Sequence, residues 1–275
     1  MAIFLSPYNN FRPKKSLGQN FLIDNNIERK IVNEAQISPG DIVLEVGAGK
    51  GSLTGNLLET GATVFAVEID KRLVGLLKEK FSKRKNFHLK EADILSLNLS
   101  EFNFKKKITL IGNLPFNISS QIITKFLAQS FFFDKFFVTV QKELAQRMIA
   151  APGSRESSVF GLYVQFFSEP KIIFNIKRTC FRPSPKVDAS FLSLNIRDPQ
   201  EISQVDVNAL FAIIKAAFNL RRKTIANALA KRFSWELVRG SLEKADINNS
   251  RRAETITLRE YIRLADALKS AIIKS

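Results

Sequence analysis

Between Asp41 and Ala150, short apolar runs alternate with longer stretches whose apolar positions recur every three to four residues. The runs Asp41–Val46, Thr63–Val67, Phe87–Lys90, Ile108–Ile111 and Phe136–Val140 read as strands. The stretches Ser52–Glu59, Lys71–Phe81, Ser119–Ser130 and Lys142–Ala150 read as helices. Apolar runs without strict alternation, separated by helices, predict βαβ units on a parallel sheet covered on both faces. Two later β-like runs, Lys171–Ile176 and Val187–Ile196, flank the Pro-rich Phe181-Arg182-Pro183-Ser184-Pro185. An antiparallel hairpin at the sheet edge is their simplest placement. After Asp198-Pro199 three helical faces follow, around Leu210-Phe211 with Ile213-Ile214 and Phe218, around Ile225, Leu229 and Phe233, and around Leu258, Ile262 and Leu264-Ala265. The expected division is an α/β domain over 1–198 and a small all-helical domain over 199–275.

Composition adds a partner. The chain has 275 residues with 42 Lys+Arg against 26 Asp+Glu, a net charge of +16. Such a balance points to a polyanion, nucleic acid first and an anionic membrane surface second. No apolar run approaches the roughly 18 residues of a membrane span. The segment Met1–Pro7 has neither the positive start nor the apolar stretch of a secretory signal. One cysteine, Cys180, excludes an internal disulfide and suits a reducing cytoplasm. One histidine, His88, argues against His-based triads and metal sites, so no metal is expected. Phe, at 24 residues, far outnumbers Tyr at 3, and the cluster Phe131-Phe132-Phe133 with Phe136-Phe137 reads as core packing.

The first strand ends in Glu45-Val46-Gly47-Ala48-Gly49-Lys50-Gly51 ahead of a helix. Glycines at a strand-to-helix turn let the backbone approach a ligand and aim helix N-terminal N–H groups at it. A phosphate-binding P-loop would need Ser or Thr after Gly-Lys, where this chain has Gly51. A dinucleotide fingerprint wants Gly or Ala where Ser52 stands. Glu68 ends the second strand, where an acid can accept from both hydroxyls of a ribose. Asp93 follows the third, where a carboxylate can accept from an adenine amine. Each acid alone is an ordinary solvated loop residue, and the turn alone a tight structural turn. All three at one end of a parallel sheet favour an adenosyl ligand without a pyrophosphate.

The fourth strand ends in Gly112-Asn113-Leu114-Pro115-Phe116, which resembles the signature of amino-group methyltransferases. An adenine N6 amine is a poor nucleophile because its lone pair is delocalised into the ring. The Asn113 side-chain oxygen and the Leu114 carbonyl can accept its two N–H groups and localise that pair. Pro115 would stiffen the turn, and Phe116 would stack on a base extruded from its helix.

With these motifs assembled, the sequence resembles the ribosomal RNA adenine N6-dimethyltransferases, in particular the bacterial small-subunit (16S) enzymes. The resemblance is carried by Lys14–Leu22, Glu45–Gly51, Gly112–Asn117, Pro152-Gly153-Ser154, Phe181–Val187 and Arg221-Arg222-Lys223-Thr224. It implies a Rossmann-like S-adenosylmethionine-dependent methyltransferase domain with a C-terminal helical RNA-recognition domain. It also implies S-adenosylmethionine as donor and two adjacent adenines near the 3′ end of small-subunit rRNA as acceptors. The substrate would be a partly assembled subunit, and the enzyme a cytoplasmic monomer with a part in subunit biogenesis. By similarity Asn20, Leu22, Gly47, Glu68, Asp93 and Asn113 would touch the donor, and Phe181 would face the flipped base opposite Phe116. The departure is Phe116, where bacterial members usually carry Tyr; stacking survives that change.

Arg12, Lys14 and Lys15 and Arg221, Arg222 and Lys223 lie within family motifs and are expected to touch phosphates, which give affinity without choosing the base. The runs Lys83–Lys85 and Lys105–Lys107 read equally well as solvated faces. Three other readings stay open: a large-subunit rRNA methyltransferase of the antibiotic-resistance type, a non-catalytic RNA-binding assembly or transcription factor on the same fold, and a DNA adenine methyltransferase.

Overall fold

The computed structural model describes residues 13, 14 and 17–272. Arg12 and Lys15, two of the expected phosphate contacts, lie outside the described residues. The chain enters through β1 (Phe21–Leu22) and α1 (Asn25–Ala35), then runs β2 (Ile42–Val46), α2 (Ser52–Glu59), β3 (Thr63–Glu68), α3 (Lys71–Phe81) and β4 (Phe87–Glu91). Next come β5 (Ile108–Asn113), α4 (Ser119–Leu127), β6 (Phe133–Gln141), α5 (Lys142–Met148) and α6 (Val159–Phe167). After these lie β7 (Ser168–Ile176), β8 (Phe181–Arg182) and β9 (Ala189–Ile196). Five helices close the chain: α7 (Pro199–Ser203), α8 (Val207–Phe218), α9 (Ile225–Leu229), α10 (Trp235–Lys244) and α11 (Leu258–Ile272).

Every strand and helix expected between Asp41 and Ala150 is present, with ends shifted by a few residues. Seven strands form one sheet in the order β4-β3-β2-β5-β6-β9-β7. The first five are parallel, and β9 runs antiparallel to β6. This is a Rossmann-like α/β fold. β2 is central and buried on both faces, Val43 and Leu44 being inaccessible, which is why its run is continuously apolar. The register pairs Leu44 with both Phe65 and Leu110, so β2, β3 and β5 end level at Val46, Glu68 and Asn113. Gly112 permits this approach: a Cβ there would stand 2.5 Å from the Val46 carbonyl oxygen. Of the Phe cluster, Phe133, Phe136 and Phe137 are core, whereas Phe131 is exposed.

Two elements depart from the simple hairpin expected around the Pro-rich stretch. Phe181–Arg182 is itself a short strand, and it pairs antiparallel with β1, Phe21 opposite Arg182 and Leu22 opposite Phe181. The N-terminal segment is thereby fastened beside the Pro-rich one.

Two compact units divide the chain, one running through Ala145 and including Lys171–Ile196, the other made of Gln146–Pro170 and the residues from Arg197 onward. The later break lies beside the expected 198/199 division, but the helical unit also takes Gln146–Pro170. Packing within that unit explains the interleaving. Helix α6 (VFGLYVQFF) has hardly a polar position, and its Tyr163 and Phe166 rings lie 4.9 and 5.7 Å from Phe211 of α8. The Gly153 N–H donates to the Glu254 carbonyl at 2.6 Å.

Candidate active site

The level ends of β2, β3 and β5 open onto a cavity of about 240 Å³. Gly47, Glu68, Asp93 and Asn113 line it, together with Asn20 from the N-terminal segment and Leu114 and Pro115 from the turn after β5. A second cavity of about 250 Å³ shares Gly47, Gly49 and Asn113 and adds Leu22, Glu45 and Thr139. Asn20, Gly47, Glu68, Asp93, Asn113, Leu114 and Pro115 are thus brought together at the first cavity, and Leu22 at the adjoining one.

Gly47, Gly49 and Gly51 have φ of 72, 57 and 73°, a left-handed backbone that favours glycine. Their surroundings differ. A Cβ on Gly51 would press Leu77 and Phe81 at 2.7 Å, and one on Gly49 would lie 3.3 Å from the Phe21 ring. A Cβ on Gly47 would meet no atom within 4 Å, since it borders both cavities. Gly51 is therefore glycine for packing, whereas Gly47 leaves open space for a ligand.

The Glu68 carboxylate supports this turn. One oxygen accepts the Gly49 N–H at 2.9 Å, and the other accepts the Ile69 and Asp70 N–H groups, each at 2.9 Å. Asp93 sits in an exposed loop with Oδ1 accepting from the Leu95 N–H at 2.8 Å. Behind the turn stands a group of acids that sequence reasoning missed. Glu45 is fully buried and accepts a hydrogen bond from the Thr54 hydroxyl at 2.7 Å; burial pushes its carboxyl up to about 7. Glu28 accepts from Ser52, and burial raises its pKa as well. Lys80 faces these acids and donates to the Gly51 and Lys50 carbonyls at 3.0 and 3.3 Å.

Asp70 also escaped the sequence. Arg72 donates to its buried carboxylate at 2.6 and 3.0 Å and holds its pKa well below the usual carboxylate range. Gln19 and Lys14 reach the same carboxylate at 3.3 and 3.5 Å, so Asp70 anchors the N-terminal segment at the cavity edge. Lys14, an expected phosphate contact, is half-exposed and ion-paired there.

At Asn113 the side-chain nitrogen donates to the Asn20 carbonyl at 2.7 Å. That bond orients the amide, and its oxygen is buried with no hydrogen-bond partner among the described residues. A buried carbonyl left unpartnered is costly, so an oxygen of this kind at a cavity wall marks where a donor belongs. Beside it the Leu114 N–H donates to the Thr139 carbonyl at 3.1 Å, fixing that peptide. The Ser119 hydroxyl and Ile118 N–H both donate to the Pro115 carbonyl, at 2.8 and 3.1 Å, and hold the turn against α4.

Phe116 is half-buried, and its ring meets Phe181 edge to face, centroids 6.2 Å apart with planes at 64°. Phe181 is only 1% exposed. As arranged, the two rings touch each other and leave no slot between them. In the helical unit Arg222 and Lys223 are exposed, while Arg221 donates to the Arg155 carbonyl at 2.8 Å and lies 4.0 Å from Glu254.

A model of the family described as ribosomal RNA adenine dimethylase matches residues 10–270. The chain belongs to that family. A relative from Alkaliphilus oremlandii, named ribosomal RNA small subunit methyltransferase A, is 39% identical over 94% of this chain and 92% of its own length. A protein of the same name from Protochlamydia amoebophila is 36% identical over 98% of this chain and 96% of its own. Among solved structures, a dimethyladenosine transferase from Plasmodium falciparum superposes with a TM-score of 0.78 at 25% identity, covering 89% of this chain and 95% of that one. A 23S rRNA methyltransferase, ErmE, gives 0.69 at 23% identity over 90% and 99%, a likeness of fold. As a member of the dimethylase family the chain is an enzyme, an rRNA adenine dimethyltransferase. Among the described residues no helix is long and apolar enough to cross a membrane.

Proposed function

We propose that this enzyme uses S-adenosylmethionine to dimethylate N6 of two adjacent adenines in the hairpin near the 3′ end of small-subunit (16S) rRNA. It would act in the cytoplasm, as a monomer, on a partly assembled subunit during its biogenesis. The observation that carries the reading is the buried, unpartnered Asn113 oxygen, held in place by the bond from its own nitrogen to Asn20. The names of the curated relatives favour the small over the large subunit.

The residues present fit the donor. Gly47 leaves room beside the turn, the Glu68 carboxylate keeps one acceptor site, on the oxygen that holds Gly49, for a ribose hydroxyl, and Asp93 lies on the cavity wall for an adenine amine. Asn20 and Leu22 complete the surround. When bound, the donor supplies a methyl group on a sulfonium. The protein orients the acceptor. The Asn113 oxygen and the Leu114 carbonyl accept the two N–H groups of the adenine amine and turn its lone pair out of conjugation with the ring. Phe116 offers the base a ring face, Pro115 limits the movement of the turn, and Arg222 and Lys223 hold the RNA by its phosphates. Positioning and fixed dipoles thus supply the catalysis, with no histidine required.

The decisive experiment is mass spectrometry of rRNA from cells with and without this protein, paired with methyl incorporation into isolated small and large subunits. Loss of N6-dimethyladenine from small-subunit rRNA is the expected result. Incorporation into large subunits alone would overturn the assignment.

A further inference from the structure

The helical unit carries an aromatic that the methyl-transfer site does not use. Trp235, the only tryptophan of the chain, opens α10 and is 42% exposed. All other aromatic residues of that unit are buried or half-buried. An indole combines a large apolar face with one N–H donor and is usually turned into a core or an interface.

Its neighbours are cationic. Lys231 and Arg232 are exposed in the turn that leads into α10. Arg239, also exposed, follows Trp235 by four residues and so lies on the same helix face one turn along. No carboxylate pairs with any of these three among the described residues; Arg232 lies over the Phe233 ring at 5.9 Å. Glu236 is the exposed acid beside them. Arg222 and Lys223 lie just before α9, a helix of five residues that spans about 8 Å. A flat exposed ring among unneutralised cations is the arrangement that binds single-stranded nucleic acid, by stacking a base and holding the flanking phosphates. Duplex RNA offers no unstacked base to such a ring.

We propose that Trp235, with Lys231, Arg232 and Arg239, is a second RNA contact that stacks an unpaired nucleotide of the substrate. None of these residues lines the cavities around Asn113. The inference rests on the RNA-methylating function above and names a further part of the substrate that the protein reads: a single-stranded nucleotide, distinct from the adenines that are modified.

The indole is its own reporter. Titrating the full-length protein with a single-stranded oligoadenylate octamer at low salt is expected to quench its emission saturably, with a duplex of similar charge quenching far less. By anisotropy of a labelled octamer, Trp235→Leu is expected to weaken binding by roughly five- to a hundredfold, and Trp235→Phe to retain most of it. Replacing Lys231, Arg232 and Arg239 by Gln together is expected to lower the salt slope by about two, at roughly 0.7 per phosphate contact on a single strand. A parent that methylates rRNA while its emission ignores the octamer overturns the proposal and leaves the function standing. So does a folded Trp235→Leu variant that binds as tightly as the parent, or emission that answers only to the protein fraction of the subunit. Quenching in a protein that transfers no methyl group supports the contact and sinks the proposed reaction instead.

Discussion

The Asn113 side-chain nitrogen is 2.7 Å from the Asn20 carbonyl oxygen, and this one bond decides which end of the amide faces the cavity. Replacing Asn113 by Ala removes the acceptor and is expected to slow single-turnover methyl transfer on the order of a hundredfold or more, the scale for one preorganised polar group. RNA affinity stays close to the parent's. Asn113→Asp supplies acceptors but no donor for Asn20, so it is expected to be impaired too. Rates within a few-fold of the parent for both variants would show that this amide does not position the amine.

Glu68 tests the donor site. Its two oxygens hold three backbone N–H groups as well as facing the cavity, so Ala removes both a ligand contact and a support of the glycine turn. Losing a hydrogen bond to a charged group costs about 1.5–3 kcal/mol, which is roughly ten- to over a hundredfold in S-adenosylmethionine affinity. Calorimetry would detect this, and the melting temperature is expected to fall with it. A folded Glu68→Ala variant with unchanged affinity would move the ribose elsewhere.

The basic cluster is expected to split in two. Arg222→Ala and Lys223→Ala should flatten the salt dependence of RNA binding, each by somewhat under one unit of slope. Arg221→Ala, which loses its bond to Arg155, should show more effect on melting temperature than on that slope. Equal slope changes for all three would make Arg221 a phosphate contact despite its internal partner.

Phe116 can be separated from its packing by two variants. Tyr keeps the ring face, and with the position half-buried its hydroxyl can reach water, so Phe116→Tyr is expected to be nearly neutral. Phe116→Leu keeps apolar bulk but loses base stacking, worth roughly 1–3 kcal/mol, and should slow methylation more than it lowers stability. A destabilised Tyr variant beside a fully active Leu variant would make Phe116 a packing residue.

Glu45 gives a pH dependence whose sign follows from its burial. Its carboxyl titrates near 7 in the folded chain against 4.5 when solvated. The folded state therefore holds the proton more tightly, and the associated stability is full below pH 4.5 and lost as pH rises through 7. At about 1.4 kcal/mol per pH unit the difference is on the order of 3 kcal/mol. Glu45→Gln is expected to lose that dependence, so denaturant unfolding at pH 5 and pH 8 should differ less in the variant than in the parent. Parallel profiles would mean that Glu45 stays ionised in the fold.

Much of the first unit was legible because its strands are buried on both faces and its helices have one apolar side. Gly47, Glu68, Asp93 and Asn113 follow from strand ends and were legible with them, whereas Asn20 comes from the N-terminal segment and was reached only through the family resemblance. Helix α1 was overlooked although Ile27, Ile31, Val32 and Ala35 mark an apolar side and Asp24 caps its first N–H groups; the charges at Glu28, Arg29 and Lys30 dilute the signal. Helix α6 is apolar nearly all round, so it has no period to read, and its membership in the helical unit depends on α8. Asp70 looks like an ordinary helix cap in sequence, because its partners Gln19 and Lys14 come from a remote segment. Burial of Phe181 depends likewise on packing that no local pattern encodes.

The pairing of Phe21–Leu22 with Phe181–Arg182 has a consequence for the order in which the protein is made. A ribosome delivers the chain from its N-terminus, and domains begin to fold as they emerge. The βαβ units from β2 to β6 can assemble early, since all five of these strands precede Phe181–Arg182 in the chain. The N-terminal segment bearing Asn20 gains its partner strand only after Arg182 has left the exit tunnel. Until then the Asn20 carbonyl that turns the Asn113 amide is steadied only by the neighbouring Gln19 and Lys14 contacts to Asp70. The N-terminal wall of the cavity is therefore fastened at both of its supports only after the Pro-rich stretch has been made.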